Sequence, residues 1–292
     1  MPDTFDAIIV IYNPISTNNA IAKAEAFRDN AKAKGITVEM YPTNHAGHAA
    51  EMATEIVAQY NHPLIVSVSG DGGYNELING VMLAKKDTNK TPVVAIIGAG
   101  NANDHKRTTR DAPLTELILA HDVKPLDLLH IKTKAIDRFA HSYIGLGITP
   151  EVAVELNQHK LNRFLEALIV VRSFARFKPF TIVHDGEEHL YSSLLFANIP
   201  AMAKIVKLDT EQNELNDGKF EIISFDYHGK LHLLWELLRS VIFGNAKSPQ
   251  AQTYTFTTTN VTPVQLDGEI ETLHENTQVT VTAVKDAIYS LY

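Results

Sequence analysis

A chain of 292 residues, 45% hydrophobic and 21% charged, holds enough apolar side chains for one large or two medium cores. Its net charge of −8 excludes a general nucleic-acid binder, and the absence of cysteine excludes disulfides, thiolate metal sites and a cysteine nucleophile. The opening MPDTFDAIIV is acidic where a signal peptide is basic, and no apolar run is long enough to span a bilayer. The expectation is a cytoplasmic protein, at most peripheral at the inner membrane face.

Residues 5–12, FDAIIVIY, read as a buried strand ending at Asn13-Pro14. Residues 20–34 are rich in Ala, Lys and Glu and predict a helix stopped by Gly35. A second strand over 36–41 and a second helix over 45–60 follow. Residues 64–68, LIVSV, form a third strand that runs into Ser69-Gly70-Asp71-Gly72-Gly73. Three glycines in four positions free the backbone and remove side chains that would block a ligand, and a helix begins near Tyr74. Strand, glycine turn and helix together make an anion site suited to phosphate. The loop is neither a Walker A sequence nor GxGxxG. Residues 93–97, VVAII, give a fourth strand ending in GAGNAND, and a helix over 114–121 closes the block.

Short apolar strands alternating with helices predict a doubly wound, mostly parallel α/β domain, with ligands collecting beyond the carboxyl ends of the strands. Three of those ends carry Asn13-Pro14, Ser69–Gly73 and Gly98–Asp104. From about residue 125 the pattern becomes β-rich and is punctuated by Asp185-Gly186, Asp217-Gly218 and Asp267-Gly268, turns suited to hairpins. This predicts an antiparallel β-sandwich domain. The expected division is 1–124 with a tail of about 285–292 as one domain, and 125–284 as the other.

Several segments, in order along nearly the whole chain, resemble the diacylglycerol kinase catalytic-domain family, which is more distantly similar to NAD kinases and 6-phosphofructokinases. They are SGDGGYNELING (69–80), GAGNANDHKR (98–107), QLDGE (265–269) and the opening YNPIS, with weaker matches at YIGLGITPEV and NDGKFEI. The resemblance implies α/β plus β-sandwich architecture with the active site in the interdomain cleft. It also implies ATP and Mg²⁺ as cofactors and transfer of a phosphoryl group to a lipid hydroxyl. By residue, it implies that Asn13, Gly70, Asp71, Gly72, Gly73, Glu76, Asn103 and Asp104 surround ATP. Asp267 would be the general base, Glu269 its partner near magnesium, and Asp217 a ligand of a structural Mg²⁺. The chain departs from the pattern at Gly73, where the family has a nucleotide-contacting threonine, and at Ser69, where it has a glycine. Asn101 replaces a threonine and His105 an aromatic residue.

Phosphoryl transfer asks a protein to position groups and neutralise charge, with a carboxylate within reach of the attacking hydroxyl. Asp267-Gly268 taken alone is a hairpin turn; the order of the motifs argues for the base. Glu269, two residues on, is expected on the same side as Asp267. Glu76 and Asp71 also suit a helix start and a tight turn. His45, His48, Glu51 and Glu55 share a helix face and read as a solvated helix start rather than a metal site. Residues 161–180 and 231–243, basic and aromatic, suit either helices on the sandwich or contact with an anionic membrane surface. The expected partner is a lipid substrate, at a membrane surface, with a homodimer allowed. Alternatives are a kinase of another hydroxyl compound and a nucleotide-binding regulator without turnover.

Overall fold

The computed structural model describes residues 4–86, 88, 90–147, 177–199, 201–202, 206–207, 215–230, 232–233, 235–236 and 248–292. The chain divides into two units, one formed by Met1–Asp127 with Asp286–Tyr292 and the other by Leu128–Lys285.

The first unit alternates β1 (Ile8–Tyr12), α1 (Ala20–Ala33), β2 (Glu39–Pro42), α2 (His48–Gln59), β3 (Leu64–Ser69), α3 (Asp71–Lys85) and β4 (Val93–Gly98). Two short helices follow, α4 (Asp104–Thr109) and α5 (Leu114–Ala120). The strands lie in the order β2-β1-β3-β4 and every pair is parallel. Each residue of β3 is buried, as the uninterrupted run of apolar and small side chains requires of a central parallel strand. The order reverses between β1 and β3, the switch point at which ligands of such sheets collect. α1 stops where Gly35, at φ 78°, takes the left-handed conformation and its N–H returns to the Lys32 carbonyl. The helix after the glycine turn begins at Asp71, earlier than Tyr74. α4 lies in a stretch that carries no helical periodicity. Tyr289 and Ser290, near the end of the chain, add a fifth parallel strand beside Val93 and Val94 of β4.

The second unit is antiparallel β. The chain enters it along β5 (Lys124–Lys132) and continues through β6 (Asp137–Ala140), β7 (Tyr143–Gly147), β8 (Phe180–His184) and β9 (Glu187–Ala197). β10 (Ala201–Met202) and β11 (Val206–Lys207) pair as a small hairpin. β12 (Phe220–Asp226), β13 (Gln250–Ala251), β14 (Thr253–Thr258), β15 (Thr262–Leu266), β16 (Glu269–Leu273) and β17 (Gln278–Ser290) complete it. β9 is the hub. Its first half pairs with β8 and its second half with β7 and β12. Leu129, Ile144, Phe196, Phe220, Phe256, Val264 and Val281, from seven strands, share one apolar core. His141 and Ser142 separate β6 from β7.

Candidate active site

The carboxyl ends of β1, β3 and β4 converge within the first unit. Asn13 N–H donates to the Val68 carbonyl at 3.2 Å, Ala99 N–H to Ser69 at 2.7 Å, and Asn18 N–H to Ala99 at 3.0 Å. Asn103 closes the 98–103 loop on itself, because its Oδ1 accepts Gly100 N–H at 2.8 Å and its Nδ2 donates to the Gly100 carbonyl at 2.7 Å. A Cβ on Gly100 would lie 2.5 Å from the Gly70 Cα, so the two glycine loops touch backbone to backbone and position 100 has no room for a side chain. α3 starts at this contact with Gly70 as its N-cap and no capping side chain. Its first N–H groups point beyond the sheet edge with the positive end of the helix dipole behind them.

Asp71 has a task that spacing alone does not reveal. Its Oδ2 accepts Asp104 N–H at 3.1 Å and its Oδ1 accepts His105 N–H at 3.3 Å, so it caps α4 from the first position of α3. Asp104 is 1% exposed and accepts Arg107 Nη2 at 2.5 Å. Glu76 is half-buried on α3. Because that helix starts at Asp71, Glu76 lies beyond the first turn, and helix capping does not account for it. Asn13, Gly70, Asp71, Gly72, Gly73, Asn103 and Asp104 are thus gathered at one sheet edge.

In the second unit, Asp267 and Gly268 join β15 to β16 as a two-residue turn with φ 50° and 99°, the primed geometry of tight hairpins. The Asp267 side chain is 0% exposed. Its Oδ1 accepts N–H groups from Ser142 at 3.0 Å and Tyr143 at 2.9 Å, and its Oδ2 accepts His141 N–H at 2.6 Å. His141 Nε2 lies 3.3 Å from Oδ2, itself fully buried, with Nδ1 2.7 Å from Ser142 Oγ. Three backbone N–H groups therefore bind the carboxylate, with the His141 ring beside Oδ2. The break between β6 and β7 is the cradle for Asp267. The expectation that Asp267 and Glu269 share a face is not met: Asp267 is a turn residue enclosed by protein, whereas Glu269 opens β16 and is exposed. Period-two alternation holds along a strand and not across a turn with positive φ.

Asp217 is half-buried, and its Oδ1 accepts Lys219 N–H at 2.8 Å. His45, His48 and Glu51 are the one group of three metal-ligand side chains gathered among the described residues. Asn44 N–H donates to His48 Nδ1, which leaves the proton of neutral His48 on Nε2, the wrong tautomer for ligation through that atom. The stretches 161–180 and 231–243 lie largely outside the described residues. Of their aromatic side chains, Phe177 and Phe180 are buried and Trp235 is 58% exposed. Among the described residues no helix is long and apolar enough to cross a membrane.

Residues 7–131, nearly the whole first unit, match the model of the family described as diacylglycerol kinase catalytic domain. Over those residues the chain is similar to the diacylglycerol kinase catalytic-domain family. A diacylglycerol kinase of Bacillus subtilis is 26% identical over 229 residues, covering 73% of this chain and 72% of its own. A sphingoid long-chain bases kinase 1 of Arabidopsis thaliana is 27% identical over 182 residues, 58% of this chain and 23% of that larger protein. The crystal structure of a diacylglycerol kinase from Bacillus anthracis superposes with a TM-score of 0.72 at 17% identity, covering 100% of this chain and 98% of the other. That likeness bears on the fold alone. The match over 7–131 and these kinase relatives together support a phosphotransferase with an alcohol group as acceptor.

Proposed function

We propose that the protein is an ATP- and Mg²⁺-dependent lipid kinase that phosphorylates the hydroxyl of diacylglycerol or a related lipid. The observation that carries the reading is the start of α3, whose N-cap Gly70 has no side chain, set against the contact between the two glycine loops that follow β3 and β4. Backbone donors at a helix start, with no side chain in the way, suit a polyphosphate. On this reading Asn13, Gly70, Asp71, Gly72, Gly73, Glu76, Asn103 and Asp104 hold or shape the nucleotide site. Glu269, an exposed carboxylate, and Asp217, half-buried with one oxygen bonded to backbone, fit a hard cation that takes oxygen ligands. Bound Mg²⁺ would supply charge neutralisation at the transferring phosphate.

Asp267 is the proposed proton acceptor, and its cradle sets a condition on that role. Three of its partners are backbone N–H groups and fixed; the fourth, the His141 imidazole, has the longest contact and belongs to a side chain. A substrate hydroxyl reaches the carboxylate by taking the imidazole's place. The rigid N–H groups then hold the carboxylate in one orientation while the proton arrives.

The test is incubation of the full-length protein with γ-labelled ATP, Mg²⁺ and an extracted lipid pool. Label in the organic phase supports the proposal. Label in a water-soluble product points to another hydroxyl compound, and nucleotide binding without any labelled product points to a regulator that has lost turnover.

A further inference from the structure

The residues gathered at the carboxyl edge of the first unit include two carboxylates, Asp71 and Asp104, with Glu76 farther along α3. A nucleotide polyphosphate would add several negative charges there, against which a helix start offers about half an elementary charge. The chain has no lysine after its glycine turn, where Tyr74 and Asn75 stand. Arg107 is taken by Asp104, and Arg110, 8% exposed, donates to the Ile96 carbonyl at 2.7 Å.

Lys23 is different. It lies in the first turns of α1, and its ammonium donates to the carbonyl of Gly98, the last residue of β4, at 2.6 Å across 75 residues of sequence. The side chain is half-buried and makes no ion pair among the described residues. Its position follows from packing: Ala20 and Ala24, both fully buried, seat α1 on the sheet, and Asn18 binds the Ala99 and Gly100 carbonyls next to the one that Lys23 binds. A half-buried ammonium with one carbonyl and no carboxylate has two donors left, held against the wall of the glycine loop.

We propose that Lys23 is a phosphate-binding residue of the nucleotide site, supplying from α1 the positive charge that the glycine turn lacks. The inference rests on the proposed ATP site, and the experiment separates the two. Binding of ATP, ADP and AMP is measured by calorimetry for the full-length protein and for Lys23→Gln and Lys23→Arg, with thermal unfolding of each in the absence of nucleotide. A charge-assisted contact to the polyphosphate predicts that Lys23→Gln weakens ATP and ADP about 10- to 100-fold and AMP less than about threefold. It also predicts a shallower salt dependence, an unfolding midpoint close to the parent's, and retention of most ATP affinity by Lys23→Arg. Unchanged ATP affinity in Lys23→Gln overturns the inference and leaves the ATP site standing. Equal weakening of all three nucleotides with a lowered midpoint also overturns it, because Lys23 is then only a clamp between α1 and β4. If the parent protein binds none of the three, the ATP site itself is wrong and the inference falls with it.

Discussion

A Cβ built on Gly73 would lie 2.7 Å from the Ser69 Cβ and 2.8 Å from its hydroxyl, so only one of the two positions can carry a side chain. In the family this chain resembles, the side chain sits at 73 as threonine and position 69 is glycine; here the two have exchanged. The exchange keeps the volume and leaves one hydroxyl in the loop, with Ser69 Oγ 2.7 Å from Ser67 Oγ and donating to the Gly70 carbonyl. Gly73→Thr alone is therefore expected to destabilise by about 1–3 kcal/mol through overpacking. Ser69→Gly with Gly73→Thr should recover most of that loss. Urea unfolding of the four proteins gives the coupling, and strictly additive effects would refute the shared space. Asp267 invites a second comparison. Asp267→Ala leaves three buried N–H groups without their acceptor and is expected to lose about 3 kcal/mol or more. Asp267→Asn loses less but not nothing, since an amide NH₂ must face a backbone N–H. An inactive Asp267→Asn thus reports proton transfer only if its urea midpoint is measured alongside, and a midpoint unchanged in Asp267→Ala would show the cradle to be energetically idle.

Contacts between elements supply what neither side chain nor strand shows alone. Phe5 before β1, His62 before β3 and His121 after α5 stack at the amino-terminal edge of the sheet, with ring centroids 4.7–5.7 Å apart. His62 is 2% exposed; its Nδ1 bonds the Thr91 carbonyl at 2.6 Å and its Nε2 has no hydrogen-bond partner. Burial pulls its pKa below the ordinary 6.5, because a protonated Nε2 would be a buried unpaired donor. The unfolded chain then binds more protons than the folded one below about pH 6.5, so this group's contribution falls as pH falls. His62→Gln should show a smaller loss of urea midpoint than the parent between about pH 7.5 and pH 5. An equal loss in both proteins would exclude His62 as the source. Relations of this kind limit how much could be read from sequence. The parallel strands were legible because buried β-branched runs are local, and the glycine turn because its composition is local. α4 was not, since its six residues carry no apolar period and its start is held by Asp71 from the first position of α3. The strand after Asp267-Gly268 was legible from its hairpin turn. At the site, the loops could be named from their motifs. The Asp267 cradle comes from donors 124–126 residues away, and Lys23 reaches its carbonyl across 75.

At the scale of the whole molecule, the chain leaves the first unit after Asp127 and returns at Asp286, so that unit is completed only by its last seven residues. The returning segment is built in, not appended. Asp286 N–H donates to Asp127 Oδ1 at 2.7 Å, Lys85 Nζ to the Ala287 carbonyl at 2.8 Å, and Ser290 Oγ and Leu291 N–H to the Val94 carbonyl at 2.9 and 3.2 Å. Tyr292 closes the segment with its hydroxyl on the Pro125 carbonyl at 2.6 Å. Ala287, Ile288 and Leu291 are at most 5% exposed. Burying Ile288 and Leu291 contributes about 1.5–3 kcal/mol each, and their removal also bares the outer edge of β4. Deleting residues 286–292 from the full chain should therefore remove about 4 kcal/mol or more from the first unit, a large part of what holds a domain of this size together. The deletion cuts the end of β17 but leaves its pairing with β14 over Gln278–Thr282, inside the second unit. Hydrogen exchange resolves the two: protection of β3 and β4 should collapse in the shortened chain while that of β9 and β14 persists. Equal protection of β3 with and without the segment would mean that the first unit is complete without it.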